Sequence, residues 1–163
     1  MPVNLHHAQE VLRRELGPDS VRNTSGAVPS VAFVSTIEEA VRGADLVIDC
    51  VPDELESKLE ILWLLDRMAP PRSVLATPTT RLSIDDLANC TYRPEKCIAI
   101  AAESNSLTGN PDTGAGGSGR EILLRTTAKT SPETAALLGK FWLQLGFTPT
   151  FEIDSAKTPE TVN

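Results

Sequence analysis

The sequence predicts an α/β fold, a mostly parallel sheet with helices on both faces. Two observations carry this expectation. Short apolar runs alternate with stretches of helical periodicity, the order expected when each strand is followed by a crossover helix. The run Leu46-Val47-Ile48-Asp49-Cys50-Val51 is almost continuously apolar, the pattern of a strand covered on both faces. No internal repeat or interdomain linker breaks the alternation, so residues 1–163 read as one domain.

Taken in order, Leu5, Ala8, Leu12 and Leu16 fall on one side of a first helix, which Gly17-Pro18 stops. Residues 19–29 are polar and read as loop. Val31-Ala32-Phe33-Val34-Ser35 is a short strand candidate. Thr36 stands three residues before Glu39, a capping-box spacing that opens a short helix through Ala44. After the strand at 46–51, Pro52-Asp53 starts a long helix to about Met68. Its Leu55, Leu59, Leu62 and Leu65 line one face, whereas Glu54, Glu56, Lys58 and Glu60 suit water. Pro70-Pro71 ends it. Residues 73–77 form the next strand, Ser83 caps a short helix reaching Cys90, and residues 97–102 form another strand. Residues 103–120 are polar and Gly-rich, the one long loop, and 121–127 return to strand character. Ser131-Pro132-Glu133 supplies the N-cap and first-turn proline of a helix start. Leu138, Phe141, Trp142 and Leu145 form its apolar stripe, Gly146 ends it, and 148–153 are a last strand.

Composition narrows the function. The chain carries 22 acidic against 15 basic side chains, a formal charge of −7, and only 4% aromatic residues. A nucleic-acid binder needs basic clusters and stacking rings, so none is expected. No apolar run approaches the ~20 residues of a membrane-spanning helix, and no secretory signal is visible. Cys50, Cys90 and Cys97 are odd in number and sparse, which fits free buried thiols in a reducing compartment. A cytoplasmic protein without membrane contact is the expectation. The separation of Cys90 from Cys97 does not suit a zinc site. Trp63 and Trp142 fall at helical core positions, and the adjacent His6 and His7 face different sides of their helix.

From Thr36 onward the chain resembles the NAD-binding domain of the 3-hydroxyacyl-CoA dehydrogenases. The carrying residues are Ala44-Asp45-Leu46-Val47-Ile48-Asp49 with Val51-Pro52-Asp53-Glu54-Leu55-Glu56 and Lys58. The resemblance continues through Leu65-Asp66, Ala76-Thr77-Pro78-Thr79-Thr80-Arg81-Leu82-Ser83, Arg93-Pro94-Glu95-Lys96 and Lys129-Thr130-Ser131-Pro132-Glu133-Thr134, in the family's order. It implies NAD as cofactor, acyl-CoA as substrate and a place in fatty-acid metabolism. Asp53, Lys58 and Thr80 stand where the family contacts NAD, with Thr80 in place of the usual serine. An acid can take a ribose hydroxyl and an ammonium can approach the cofactor as a point charge. On the residues alone, Asp53 could equally cap a helix and Lys58 lie in solvent.

Much that the family uses is not found. Its domain opens with a strand, a Gly-x-Gly-x-x-Gly turn that brings backbone amides to the pyrophosphate, and a second strand. This sequence starts at the equivalent of the next helix, so the implied fold is an incomplete Rossmann-type domain with its first two strands missing. Gly114, Gly116 and Gly119 have the fingerprint spacing, but they follow Asn110-Pro111-Asp112-Thr113 rather than a strand and read as loop. The family's catalytic histidine and its partner glutamate fall on Ala101 and Leu123, and the asparagine shortly after the histidine falls on Ser104. Glu103 or Glu121 could take over only with a shifted alignment, and a carboxylate is a weak base near neutral pH unless its pKa is raised.

The expectation is therefore a chain impaired or inactive alone, with weak NAD binding. The rival is a non-catalytic module that binds acyl-CoA or completes its fold with a partner. In a sheet ordered 3-2-1-4-5-6 the missing strands lie between those at Val31 and Leu46. That leaves 46–51 with an open edge, which implies self-association or a strand-donating partner.

Overall fold

The computed structural model describes residues 31–102 and 120–154, together with Glu10 and Arg14, which are both helical. The chain divides into two compact units between Ala40 and Val41. In the first, residues 31–34 form no regular secondary structure, so the strand expected at Val31 is not formed; Val31 is exposed. Helix α1, Ile37–Val41, begins as its spacing predicts, with the Glu39 N–H donating to Thr36 Oγ1 at 3.2 Å, but it ends before Ala44. The first predicted helix, apart from Glu10 and Arg14, lies outside the described residues, as does the Gly-rich stretch 103–119.

The second unit is a five-stranded sheet in the order β1-β2-β3-β4-β5. Its strands are β1 Leu46–Ile48, β2 Val74–Pro78, β3 Cys97–Ile100, β4 Arg120–Thr126 and β5 Phe147–Ile153. β1, β2 and β3 run parallel, β4 runs antiparallel to β3, and β5 is again parallel to β4. Helices α2 Leu55–Met68, α3 Ile84–Ala88 and α4 Pro132–Gln144 connect or follow them. The mostly parallel α/β sheet is as the sequence predicts.

Period-two alternation explains why the central strands are apolar on both sides. Leu75, Cys97 and Ala99 pack with Leu62, Leu65, Ile84 and Leu87 from α2 and α3. Val74, Ala76, Ile98 and Ile100 pack on the other face with Ile122, Leu124, Leu138 and Trp142. Every residue of β2 and β3 is buried, whereas those of β1, at the sheet's edge, are only partly so. β1 also stops short of Val51, because the chain turns at Asp49: its Oδ1 accepts the Val51 N–H at 3.3 Å.

The predicted caps form. Ser83 Oγ accepts from Asp86 N and Ser131 Oγ from Thr134 N, with Pro132 opening α4. Gly146 follows α4 at φ +82°, the left-handed conformation of a helix C-terminus. A methyl group there would meet nothing within 4 Å, so only backbone strain opposes it. Gly146→Ala is expected to cost about 1 kcal/mol in chemical denaturation. Trp142 is buried as predicted, but Trp63 is 44% exposed, its ring lying under the Arg67 guanidinium at 4.6 Å. The cysteines are free, yet only Cys97 is fully buried, and burial chiefly pushes its thiol up to about 11; Cys50 is exposed. No helix among the described residues is long and apolar enough to cross a membrane.

Candidate functional site

The loops that leave the carboxyl ends of β1, β2 and β3 carry three of the five site residues that the sequence predicts, Lys58 lying within α2 and Leu123 within β4. Asp53 lies on the loop after β1, Thr80 on the loop after β2, and Ala101 immediately after β3. In open α/β sheets this is the end at which ligands bind.

Asp53 and Thr80 come together. Asp53 Oδ2 accepts the Thr80 N–H at 3.1 Å and the Thr80 hydroxyl at 3.4 Å. Burial works against the Asp53 charge. The Thr79 hydroxyl, the Thr80 N–H and the nearby charges of Lys58 and Arg81 outweigh it and hold the carboxyl below its ordinary range. The turn after β2 is pinned from several sides. Thr79 N donates to Ile100 O at 2.9 Å, Thr79 Oγ1 accepts from Leu82 N at 3.0 Å, and Arg125 Nη2 donates to Thr79 O at 2.9 Å and Leu82 O at 3.1 Å.

Lys58 does not join them at the surface. It was expected on the water-facing side of its helix, but it is fully buried, and its Nζ stands 2.6 Å from Asp49 Oδ1, on a side chain only 1% exposed. Asp49 was missed as a partner. The available signals were a carboxylate inside an apolar run and a lysine at helical spacing with Leu62 and Leu65. Asp49 Oδ2 and Thr77 Oγ1 are buried without a hydrogen-bond partner among the described residues.

The positions matched to the family's histidine and glutamate are neighbours, since Ala101 N donates to Leu123 O at 2.9 Å. Both side chains are aliphatic and half-buried. The register that pairs Ile100 with Leu124 puts 123, not 121, opposite 101. Glu121 sits two residues earlier in β4 on an exposed position, and Glu103, Ser104, His6 and His7 lie outside the described residues. No group of metal-ligating side chains occurs among the described residues.

A parallel β1–β3 sheet with polar loops converging at its carboxyl ends defines a Rossmann-like α/β domain, the class of fold that binds dinucleotides. Residues 5–101 match the 3-hydroxyacyl-CoA dehydrogenase, NAD binding domain family, and the chain belongs to that family. The match starts earlier than the resemblance at Thr36 and ends at Ala101.

Curated relatives include a probable 3-hydroxybutyryl-CoA dehydrogenase of Bacillus subtilis, 31% identical over 86 residues, 53% of this chain and 30% of the relative. An L-carnitine dehydrogenase of Burkholderia mallei is 38% identical over 74 residues, 45% of this chain and 23% of that protein. Among solved structures, an NAD+ dependent dismutase, a 5-dehydrogenase of a pyridine carboxylic acid, superposes with a TM-score of 0.73 at 25% identity, covering 95% of this chain and 48% of the other. A 3-hydroxyacyl-CoA dehydrogenase from Archaeoglobus fulgidus gives 0.69 at 21%, covering 94% and 46%, a likeness of fold. The chain thus spans under a third of these curated relatives and about half of these solved chains.

The residues fit NAD at one end only. The exposed Thr80 hydroxyl, backed by Asp53, suits a ribose hydroxyl. Lys58 is turned away into its pair with Asp49, and no glycine-rich turn on a helix N-terminus is present among the described residues.

Proposed function

We propose that residues 1–163 are part of an NAD-binding domain of the 3-hydroxyacyl-CoA dehydrogenase type that does not itself oxidise 3-hydroxyacyl-CoA, in a cytoplasmic protein of fatty-acid metabolism. The observation that carries this reading is the contact between Ala101 and Leu123. The two positions that the resemblance assigns to the histidine and the glutamate are joined by a backbone hydrogen bond, and neither side chain can take a proton. Losing a positioned base costs roughly 10²–10⁴ in rate. Purified chain mixed with NAD and 3-hydroxybutyryl-CoA is expected to form no NADH above background. Turnover at an ordinary dehydrogenase rate, abolished by substitution at Glu121, would assign the chemistry elsewhere.

NAD affinity is expected to be weak, because Asp53 and Thr80 hold only the ribose and nothing among the described residues cradles the pyrophosphate. Titration calorimetry should give a Kd well above micromolar, and a micromolar value would refute the reading.

A second reading, a non-catalytic module that binds acyl-CoA or completes its sheet with a partner, is favoured by the edge at β1, which has one neighbour, β2, among the described residues. An unpaired edge presents free donors and acceptors to another chain. Light scattering across a concentration series should then show self-association. A monomer at every concentration, with slow amide exchange along Leu46–Ile48, argues that no partner strand is needed.

A further inference from the structure

We propose that Arg81 anchors an oxyanion, a carboxylate or a phosphate, on the ligand that occupies the carboxyl end of β1 and β2. The inference rests on the reading of that end of the sheet as the ligand site. It does not depend on whether hydride transfer occurs.

The turn that carries Arg81 is built to hold it still. Arg81 N donates to Thr79 Oγ1 at 3.4 Å, the preceding Thr80 N–H is fixed on Asp53, and Arg125 grips the carbonyls of Thr79 and Leu82 from below. The Arg81 side chain leaves this turn into solvent, and among the described residues it makes one bond, Nη2 to Asp53 O at 3.2 Å. A guanidinium has five N–H donors in a planar fork, so most remain open to a ligand.

Other arginines of the sheet unit are differently placed. Arg72 stands 2.8 Å from Asp45, Arg93 2.6 Å from Asp66, and Arg125 3.6 Å from Asp154. Among the described residues no carboxylate oxygen lies within ion-pairing distance of Arg81. The neighbouring Asp53 carboxylate already accepts from Thr80, so its pull on Arg81 is shared. In a chain of net charge −7, a solvent-exposed guanidinium on a pinned turn at the ligand-binding end of the sheet, only partly offset by the neighbouring Asp53 charge, gives a local attraction for anions. The neighbouring Thr80 hydroxyl, also exposed, adds a second donor beside it.

Carboxylates and phosphates share this chemistry, and bidentate pairing with a guanidinium suits both. A free carboxylate on a small hydroxy acid and a phosphate of the cofactor or of coenzyme A are the two sources.

The test is nuclear magnetic resonance on the ¹⁵N-labelled full chain, following the Arg81 Nε–H and Thr80 amide signals. The probes are 3-hydroxybutyrate, ribose 5-phosphate and, as an uncharged control, ribose. One or both anions should shift the two signals saturably, ribose should not, and added salt should weaken the effect. The stronger anion identifies the source. Arg81→Gln, which can keep a bond to Asp53 O, should weaken binding about tenfold or more, and Arg81→Lys should restore only part. Arg42→Gln, at another exposed arginine, should change nothing.

Equal binding by wild type and Arg81→Gln, shifts spread over Arg42 and Arg67 alike, or no saturable shift by either anion would overturn the proposal. NADH formation by the wild-type chain would instead overturn the reading of an inactive domain and leave this one standing.

Discussion

Replacing Lys58 with alanine is expected to cost about 3–5 kcal/mol of stability, the loss typical when one partner of a buried ion pair is removed. Lys58 and Asp49 are both shielded from solvent and 2.6 Å apart, so the variant leaves a carboxylate buried beneath α2 with no countercharge. Urea denaturation of both proteins measures the difference. The double variant Asp49→Leu with Lys58→Met should recover most of it, because an apolar pair of similar volume avoids desolvating two charges. If Lys58→Ala is neutral, the ammonium faces solvent in the native protein and is free to meet a ligand. The pair also ties the start of α2 to the end of β1, across the loop that carries Asp53. The single variant should therefore disturb the Asp53–Thr80 contact as well.

Arg93→Ala is the second large effect, expected at about 3 kcal/mol by the same measurement. Its guanidinium closes the carboxyl end of α2. Nε donates to Asp66 Oδ1 at 2.6 Å, Nη1 to Pro70 O at 2.5 Å, and Nη2 to Ala69 O at 3.1 Å and to Asp66 O. The last carbonyls of a helix have no partner within it, and here one largely shielded side chain takes the Asp66 carbonyl together with those of the capping Ala69 and of Pro70 beyond it. Asp66 also accepts the Tyr92 N–H at 3.0 Å, so the loop before β3 is fixed by the same carboxylate. Arg93→Lys should rescue little, since an ammonium cannot span the fork's separate acceptors. A lysine variant as stable as wild type would show that charge alone, not geometry, holds the helix end. The Arg-Pro-Glu-Lys string that carries part of the family resemblance thus has a structural reason for its arginine.

The helix stripe of α2 shows where sequence reading stops. Leu62 and Leu65 were legible as buried, and so was the helix itself. However, Leu55 is half exposed and Lys58 is fully buried, the reverse of what side-chain polarity suggests. Spacing places 58, 62, 65 and 69 on one face, yet an ammonium there is admissible only because Asp49 arrives from another strand. That partner lies nine residues away, and only the packing of α2 on β1 decides that the two meet. Edge position was similarly hidden. The run at 46–51 has the composition of a central strand, but its pairing partners determine how much of it is strand and how deeply it is buried.

By itself the sequence determined the α/β class, the capped starts at Ser83 and Ser131, the glycine stop at Gly146 and the meeting place of family motifs. These depend on local periodicity, caps and backbone conformations, which a few neighbouring residues fix. Tertiary structure alone decided which charges are buried, that Arg81 forms no ion pair among the described residues, and that Ala101 and Leu123 stand side by side. Burial and pairing are properties of residues brought together from distant parts of the chain, and their energies change several-fold with the solvent that packing removes.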